Sequence, residues 1–127
     1  MNNVEFDFVV SDALAAFETY QKVFNAETIQ KTSLERGSNE VIFTIFGTRF
    51  HILDENPDYY LIAPKEDHIN TSWFNLTVEN IQEVFDKAEA AGFTTIQPIT
   101  EIKELGLKNS IQKDPWGYIW MLHTQCA

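Results

Sequence analysis

Four side chains in the first half of the chain and four in the second have the types and spacing to do chemistry. Glu5 and Asp7 lie two positions apart, as do Arg49 and His51, and both pairs sit in stretches where apolar and polar residues alternate. Residues two apart on a β-strand point to the same side, so each pair projects together from one face of a sheet. A carboxylate and an imidazole held in one partly desolvated site can pass a proton as general base and acid; Glu5 and His51 are the candidates for that role. Trp73 with Asn75, and Met121 with His123, repeat the arrangement in the second half. A face that mixes charge, amide, imidazole and aromatic groups is expected of a small-molecule site. Trp73 and Met121 are also too apolar to be left in water without a partner.

These residues need strands to carry them, and the strands can be read from alternation. Val4 to Val10 places Val4, Phe6, Phe8 and Val10 on one face and Glu5, Asp7 and Val9 on the other. Ser11 or Asp12 supplies an N-cap for a helix whose apolar stripe runs through Leu14, Phe17, Tyr20 and Phe24 and stops at Asn25. Strands are then expected at Thr28–Thr32, Glu40–Phe46 and Thr48–Leu53. From Asp54 to Asn70 the signals change to turns, with Asn56-Pro57-Asp58 and Ala63-Pro64 flanking Tyr59-Tyr60-Leu61-Ile62. A loop of that length in a small domain is expected to be a linker or a binding lid, with Tyr59 and Tyr60 as its ligand-facing residues and His68 a solvated one. Thr71–Val78 is expected to be a strand, Asn80 to cap a helix with the stripe Ile81, Val84, Phe85, Ala88 and Ala91, and Gly92 to end it. A short strand at Thr95–Gln97 and a looser stretch from Pro98 to Gly106 lead to the closing pair, Ser110–Thr124, which turns at Asp114-Pro115-Trp116-Gly117.

The second half repeats the first. Val10-Ser11-Asp12 recurs as Val78-Glu79-Asn80, Thr28-Ile29-Gln30 as Thr95-Ile96-Gln97, and Phe46-Gly47 as Trp116-Gly117. Phe50, His51 and Ile52 fall on Trp120, Met121 and Leu122. The chain therefore reads as one α+β domain, 1–127, built from two βαβββ modules of about 1–55 and 71–127, joined by the loop of about 54–70. The two modules are expected to form a curved mixed sheet with a cleft. The helix-covered face carries Phe6, Phe8, Val10, Phe50, Ile52, Phe74, Leu76, Val78, Trp120 and Leu122; the opposite face carries the eight chemical residues.

Composition narrows the partners. A net charge of −10 over 127 residues argues against nucleic acid and anionic membrane surfaces, which need clustered Lys and Arg, and is compatible with a cationic ligand. The single Cys126 excludes an internal disulfide framework and fits a reducing compartment, and the sequence has no signal peptide or apolar span, so a cytoplasmic protein is expected. With no positioned base in view, Cys126 is not read as a nucleophile. No Gly-rich phosphate loop or nucleotide fingerprint is present, and no cofactor is expected.

Paired βαβββ modules with a closing Asp-Pro-x-Gly hairpin resemble the vicinal oxygen chelate superfamily of glyoxalase I, extradiol dioxygenases, and fosfomycin- and bleomycin-resistance proteins. The segment Ala16–Glu27, together with Asp114–Trp120, is most similar to the PhnB-like branch. The resemblance implies a glyoxalase-like fold, a small-molecule ligand and a homodimer. It also implies metal-ligand positions at Glu5, His51, Trp73 and Met121, where metal-dependent members carry His or Gln, Glu, His and Glu. An indole cannot ligate a metal and a thioether suits hard divalent ions poorly, so no metal is expected at this set. The expected function is metal-free binding of a small molecule through Glu5, Asp7, Arg49, His51, Tyr59, Tyr60, Trp73, Asn75, Met121 and His123. The alternative is an enzyme of lyase, isomerase or dioxygenase type, using Glu5 and His51 as acid and base or a metal site rearranged to include Asp7 or His123.

Overall fold

The computed structural model of the chain describes residues 2–126. The chain divides after Lys65 into two compact units, each a four-stranded mixed sheet with one helix on it. In the first, β1 (Phe6–Val10), α1 (Ala13–Phe24), β2 (Glu27–Lys31), β3 (Glu40–Ile45) and β4 (Thr48–Asp54) form a sheet of order β1-β4-β3-β2. In the second, β5 (Phe74–Thr77), α2 (Ile81–Ala90), β6 (Thr94–Ile102), β7 (Leu107–Lys113) and β8 (Ile119–Gln125) take the order β5-β8-β7-β6. In both, the first strand runs parallel to the last and the remaining pairs are antiparallel. The expected α+β fold of two βαβββ modules is the observed one.

The repeat is kept to the level of register. Phe6 pairs with Phe50 and Asp7 with His51; Phe74 pairs with Trp120 and Asn75 with Met121. Strand alternation then sends Val10, Val41, Phe43, Phe50 and Ile52 under α1, all buried, where they meet Phe17, Tyr20 and Phe24. The Phe43 ring lies 5.3 Å from Phe17 and 5.6 Å from Phe50, centroid to centroid, within the range where aromatic pairs add to area burial. The second core is smaller: Leu76, Trp120 and Leu122 lie beneath Ile81, Phe85 and Ala88 of α2.

Both helices start on side-chain caps. Asp12 Oδ1 accepts from the Ala15 amide and Asn80 Oδ1 from the Glu83 amide, each satisfying one donor that the first turn leaves free. Asn25, at φ 56°, closes α1 in the left-handed conformation. The closing hairpin turns on Asp114, whose Oδ1 accepts from the Trp116 and Tyr118 amides and whose Oδ2 accepts from Trp120 Nε1 at 2.8 Å. Gly117, at φ 99°, supplies the left-handed residue that this turn needs.

Four sequence expectations are corrected. Val4 and Glu5 precede β1, and Thr71 to Trp73 precede β5, so both leading strands are shorter than alternation suggests. Phe6 and Phe74, at the open ends of those strands, are half exposed and partly exposed, not core. The stretch after Pro98 is not loose: β6 continues to Ile102, and the register slips between Gln97 and Thr100, where Pro98 has no amide to donate. β6 is an edge strand, which is where a sheet tolerates proline. Asp54, expected to open the loop, instead ends β4 as a buried carboxylate. Beyond it, a turn of 3-10 helix (Pro57–Tyr59) is closed by a bridge between Asn56 and Leu61. No helix among the described residues is long and apolar enough to cross a membrane.

Candidate functional site

The helix-free face of the first sheet carries a charged cluster. β4 presents Arg49 and His51, β1 presents Asp7 directly beside His51, and Glu5 sits one residue before β1. Arg49 Nε donates to Glu5 Oε2 at 2.7 Å. The other Glu5 oxygen, Oε1, lies 3.3 Å from His51 Nδ1, and Asp7 Oδ2 lies 3.4 Å from the same nitrogen. On the far side of the ring, His51 Nε2 is 3.6 Å from Glu40 Oε1, too long for a hydrogen bond. That nitrogen is shut off from solvent with no hydrogen-bond partner among the described residues. The His51 side chain is only 15% exposed, whereas Arg49 and Glu5 are 38% and 29% exposed and Asp7 is half exposed.

Three carboxylates and one guanidinium around a single imidazole make a centre with excess negative charge in either form of the ring. The two carboxylates nearest the ring titrate in opposite directions. The hydrogen bond from Arg49 holds the Glu5 carboxyl below the usual carboxylate range, against partial desolvation, with His51 and Asp7 adding to the lowering. Asp7 is pushed up, first by desolvation and then by the neighbouring Glu5 charge, while the charge of His51 opposes that rise. The two carboxyls on one nitrogen thus have their affinities for a proton pushed apart, as in a proton-sharing pair.

The corresponding face of the second sheet carries amide, imidazole and apolar side chains, with Lys113 at one end of β7. His123 Nδ1 faces Asn75 Oδ1 at 2.5 Å. Asn109, opposite His123 on β7, accepts from Gln97 Nε2 at 2.7 Å. A row of polar side chains thus crosses all four strands. Met121 is half-buried opposite Asn75 and Ile111, and Trp73 is half exposed just before β5.

The structure therefore groups Glu5, Asp7, Arg49 and His51 in one unit and Asn75 with His123 in the other. Tyr59 and Tyr60, on the 3-10 turn, are among the most exposed side chains, Tyr60 at 93%. His68 is exposed in the following loop, and Cys126 is free and exposed. Glu40 was missed from sequence. The signal was available, because burial of Val41, Phe43 and Ile45 forces Glu40, Ile42 and Thr44 onto the open face. Among these, Ile42 pairs with His51 and Glu40 with Leu53, so Glu40 is diagonal to the ring.

Comparison with known proteins fixes the family. The family model described as the Glyoxalase/Bleomycin resistance protein/Dioxygenase superfamily matches residues 4–122. The chain belongs to this superfamily. No curated protein matches it by sequence. Among solved structures it is similar to the fosfomycin resistance protein FosX from Listeria monocytogenes, with 17% identity, a TM-score of 0.73, and 98% of this chain and 93% of that chain covered. TioX from Micromonospora is similar at 16% identity and a TM-score of 0.70, covering 99% and 98%. A hypothetical protein from S. aureus is similar at 18% identity and a TM-score of 0.74, covering 98% and 94%. At these identities the likeness is one of fold.

Proposed function

We propose that the chain is a small-molecule-binding protein of the glyoxalase/bleomycin-resistance type, with the Glu5–Asp7–Arg49–His51 cluster as its recognition centre. The observation that carries this reading is the placement of four charged or ionisable side chains, joined by contacts of 2.7–3.4 Å, on the uncovered face of a sheet whose other face is packed core. Arg49 pairs with Glu5 alone, so the carboxylates of Asp7 and Glu40 on either side of the His51 ring are left with charge that a ligand can complete. The excess of carboxylates favours a ligand with a cationic group. A cleft, a homodimer, a cytoplasmic setting and a place near the PhnB-like branch belong to the same proposal. They rest on the family, the acidic composition and the segments Ala16–Glu27 and Asp114–Trp120.

The test is a thermal-shift screen of small molecules on tag-free protein, since a ligand that binds only the folded state raises its melting temperature by mass action. Hits whose shift is lost in Arg49→Ala and His51→Ala support the proposal; hits that shift all three proteins equally sink it. A second reading, acid–base catalysis, is favoured by the 3.3 Å approach of His51 Nδ1 to Glu5 Oε1. Under it, His51→Ala abolishes turnover of any substrate found while ligand affinity persists.

A further inference from the structure

The second unit carries polar side chains that the charged face does not use. We infer that the open face of its sheet is a binding site in its own right, for an uncharged small molecule that presents an amide edge, an N–H beside a C=O, on an apolar ring. His123, Asn75, Asn109 and Gln97 read that edge. The metal positions that the superfamily resemblance places on this sheet, Trp73 and Met121, hold an indole and a thioether and do not fit a metal. Met121 pairs with Ile111, one row away from the pair of His123 with Asn109. The inference stands apart from the charged face of the first unit and does not rest on it.

Two hydrogen bonds decide which atoms of the row face a ligand. His123 Nδ1 meets Asn75 Oδ1 at 2.5 Å, and Gln97 Nε2 donates to Asn109 Oδ1 at 2.7 Å. With an amide oxygen on Nδ1, the neutral ring carries its proton there and Nε2 is an acceptor. With both amide oxygens engaged, Asn75 and Asn109 have N–H groups to donate. β8, which carries His123, lies between β5 with Asn75 and β7 with Asn109. An acceptor nitrogen flanked by amide donors complements an N–H beside a C=O. Gln97 reaches Asn109 because the register slips between Gln97 and Thr100, the residue paired with Asn109; such irregularities re-aim side chains at sites.

The surroundings set the rest of the ligand. Asn109 is 9% exposed although it lies on the face turned away from α2, so its neighbours wall it in. On one side of the row Ile111 pairs with Met121, and on the other Leu107 pairs with Ile102. All four are partly exposed. A few polar groups between apolar walls are the usual make-up of a small-molecule site. Lys113, the charged residue that β7 adds to this face, is at the far end of the strand against Ile119. The polar edge of the ligand is therefore met by dipoles. An ion placed there loses hydration with no opposite charge to offset the loss. An analogue without the N–H leaves the imidazole acceptor unpaired, which is how hydrogen-bonding sites reject such analogues.

The experiment follows side-chain nitrogen signals of isotope-labelled, tag-free full-length protein by NMR. The probes are 2-pyridone, a flat lactam, and N-methyl-2-pyridone, which keeps the carbonyl and has lost the donor. The expected result is saturable binding of 2-pyridone with a dissociation constant of about 10 mM or below. It moves the side-chain amide signals of Asn75, Asn109 and Gln97 and the ring nitrogens of His123. N-methyl-2-pyridone is expected to bind at least about 10-fold more weakly, and 2-pyridone to bind His123→Ala more weakly by a similar factor. Affinity in the surface variant Glu83→Gln is expected to be unchanged. The comparison of the two probes is made on the wild-type protein, so it does not depend on how the His123 variant folds. No saturable binding of 2-pyridone, shifts that miss these four side chains, equal affinity for the two probes, or wild-type affinity in His123→Ala overturns the inference.

Discussion

Replacing Asp54 tests how the charged face is held in place. Its buried carboxylate accepts from the Ala13 amide at 2.7 Å through Oδ1, and from the Gly37 and Asn39 amides at 2.8 Å through Oδ2. It thereby ties the end of β4, three residues past His51, to the first turn of α1 and to the turn before β3. Its negative charge also lies at the positive end of α1. Hydrogen bonds to a charged group contribute about 1.5–3 kcal/mol each, and an orphaned buried donor costs about 1–3 kcal/mol. The three are not additive, and the Gly37 turn can reopen to water, so Asp54→Ala is expected to cost about 3–5 kcal/mol. Asp54→Asn keeps one acceptor but turns an amide toward donors, and about 2 kcal/mol is expected. Urea unfolding followed by far-UV circular dichroism and by tryptophan fluorescence is the assay. All three Trp lie beyond Lys65, so fluorescence follows the second unit and dichroism follows both. A loss of less than about 1 kcal/mol in Asp54→Ala by dichroism refutes the anchoring role.

Four further outcomes follow. Arg49→Ala is expected to raise the titration of the Glu5 carboxyl, followed by carboxyl carbon NMR, because the first cause of its lowering is removed. The pH dependence of stability divides by residue. Lowering of Glu5 contributes stability above the ordinary carboxyl range that is lost as pH falls through its lowered value, so Glu5→Gln removes that acid-side loss. Raising of Asp7 does the reverse: its contribution is present at acid pH and is lost as pH rises through its raised value. Asp7→Asn is therefore expected to match or exceed wild-type stability at pH 7 by urea unfolding, as a residue kept for function would. Phe43→Ala, which empties the centre of the first aromatic cluster, is expected to cost about 3–5 kcal/mol by dichroism.

What sequence disclosed was local, and what it hid was not. Alternation at Phe6–Val10 and Thr48–Asp54 sorted the two faces because side-chain direction on a strand depends only on neighbours, and the repeat supplied the register between them. Asp12, Asn25, Asn80 and Asp114 could be read because caps and turns are closed by residues within four positions of one another. Asp54 could not, because its partners lie 15, 17 and 41 residues away, and its sequence neighbours, Glu55-Asn56-Pro57, look like the start of a loop. Pro98 misled because proline interrupts a central strand but not an edge with a register slip, and edge position is a property of the finished sheet. In the cluster, Glu5, Asp7, Arg49 and His51 were visible as a face. That both carboxylates meet the same imidazole nitrogen, with Glu40 behind it, depends on the β1–β4 and β3–β4 pairings together.

The central claim is that a small molecule is recognised at His51 and its charged neighbours. Its most direct test is calorimetric titration of the strongest thermal-shift hit into wild type, His51→Ala and His68→Ala. At least about 10-fold weaker binding in His51→Ala, equivalent to about 1.4 kcal/mol, with unchanged affinity in the exposed-loop variant His68→Ala, is the predicted result. Equal affinity in all three proteins contradicts the account.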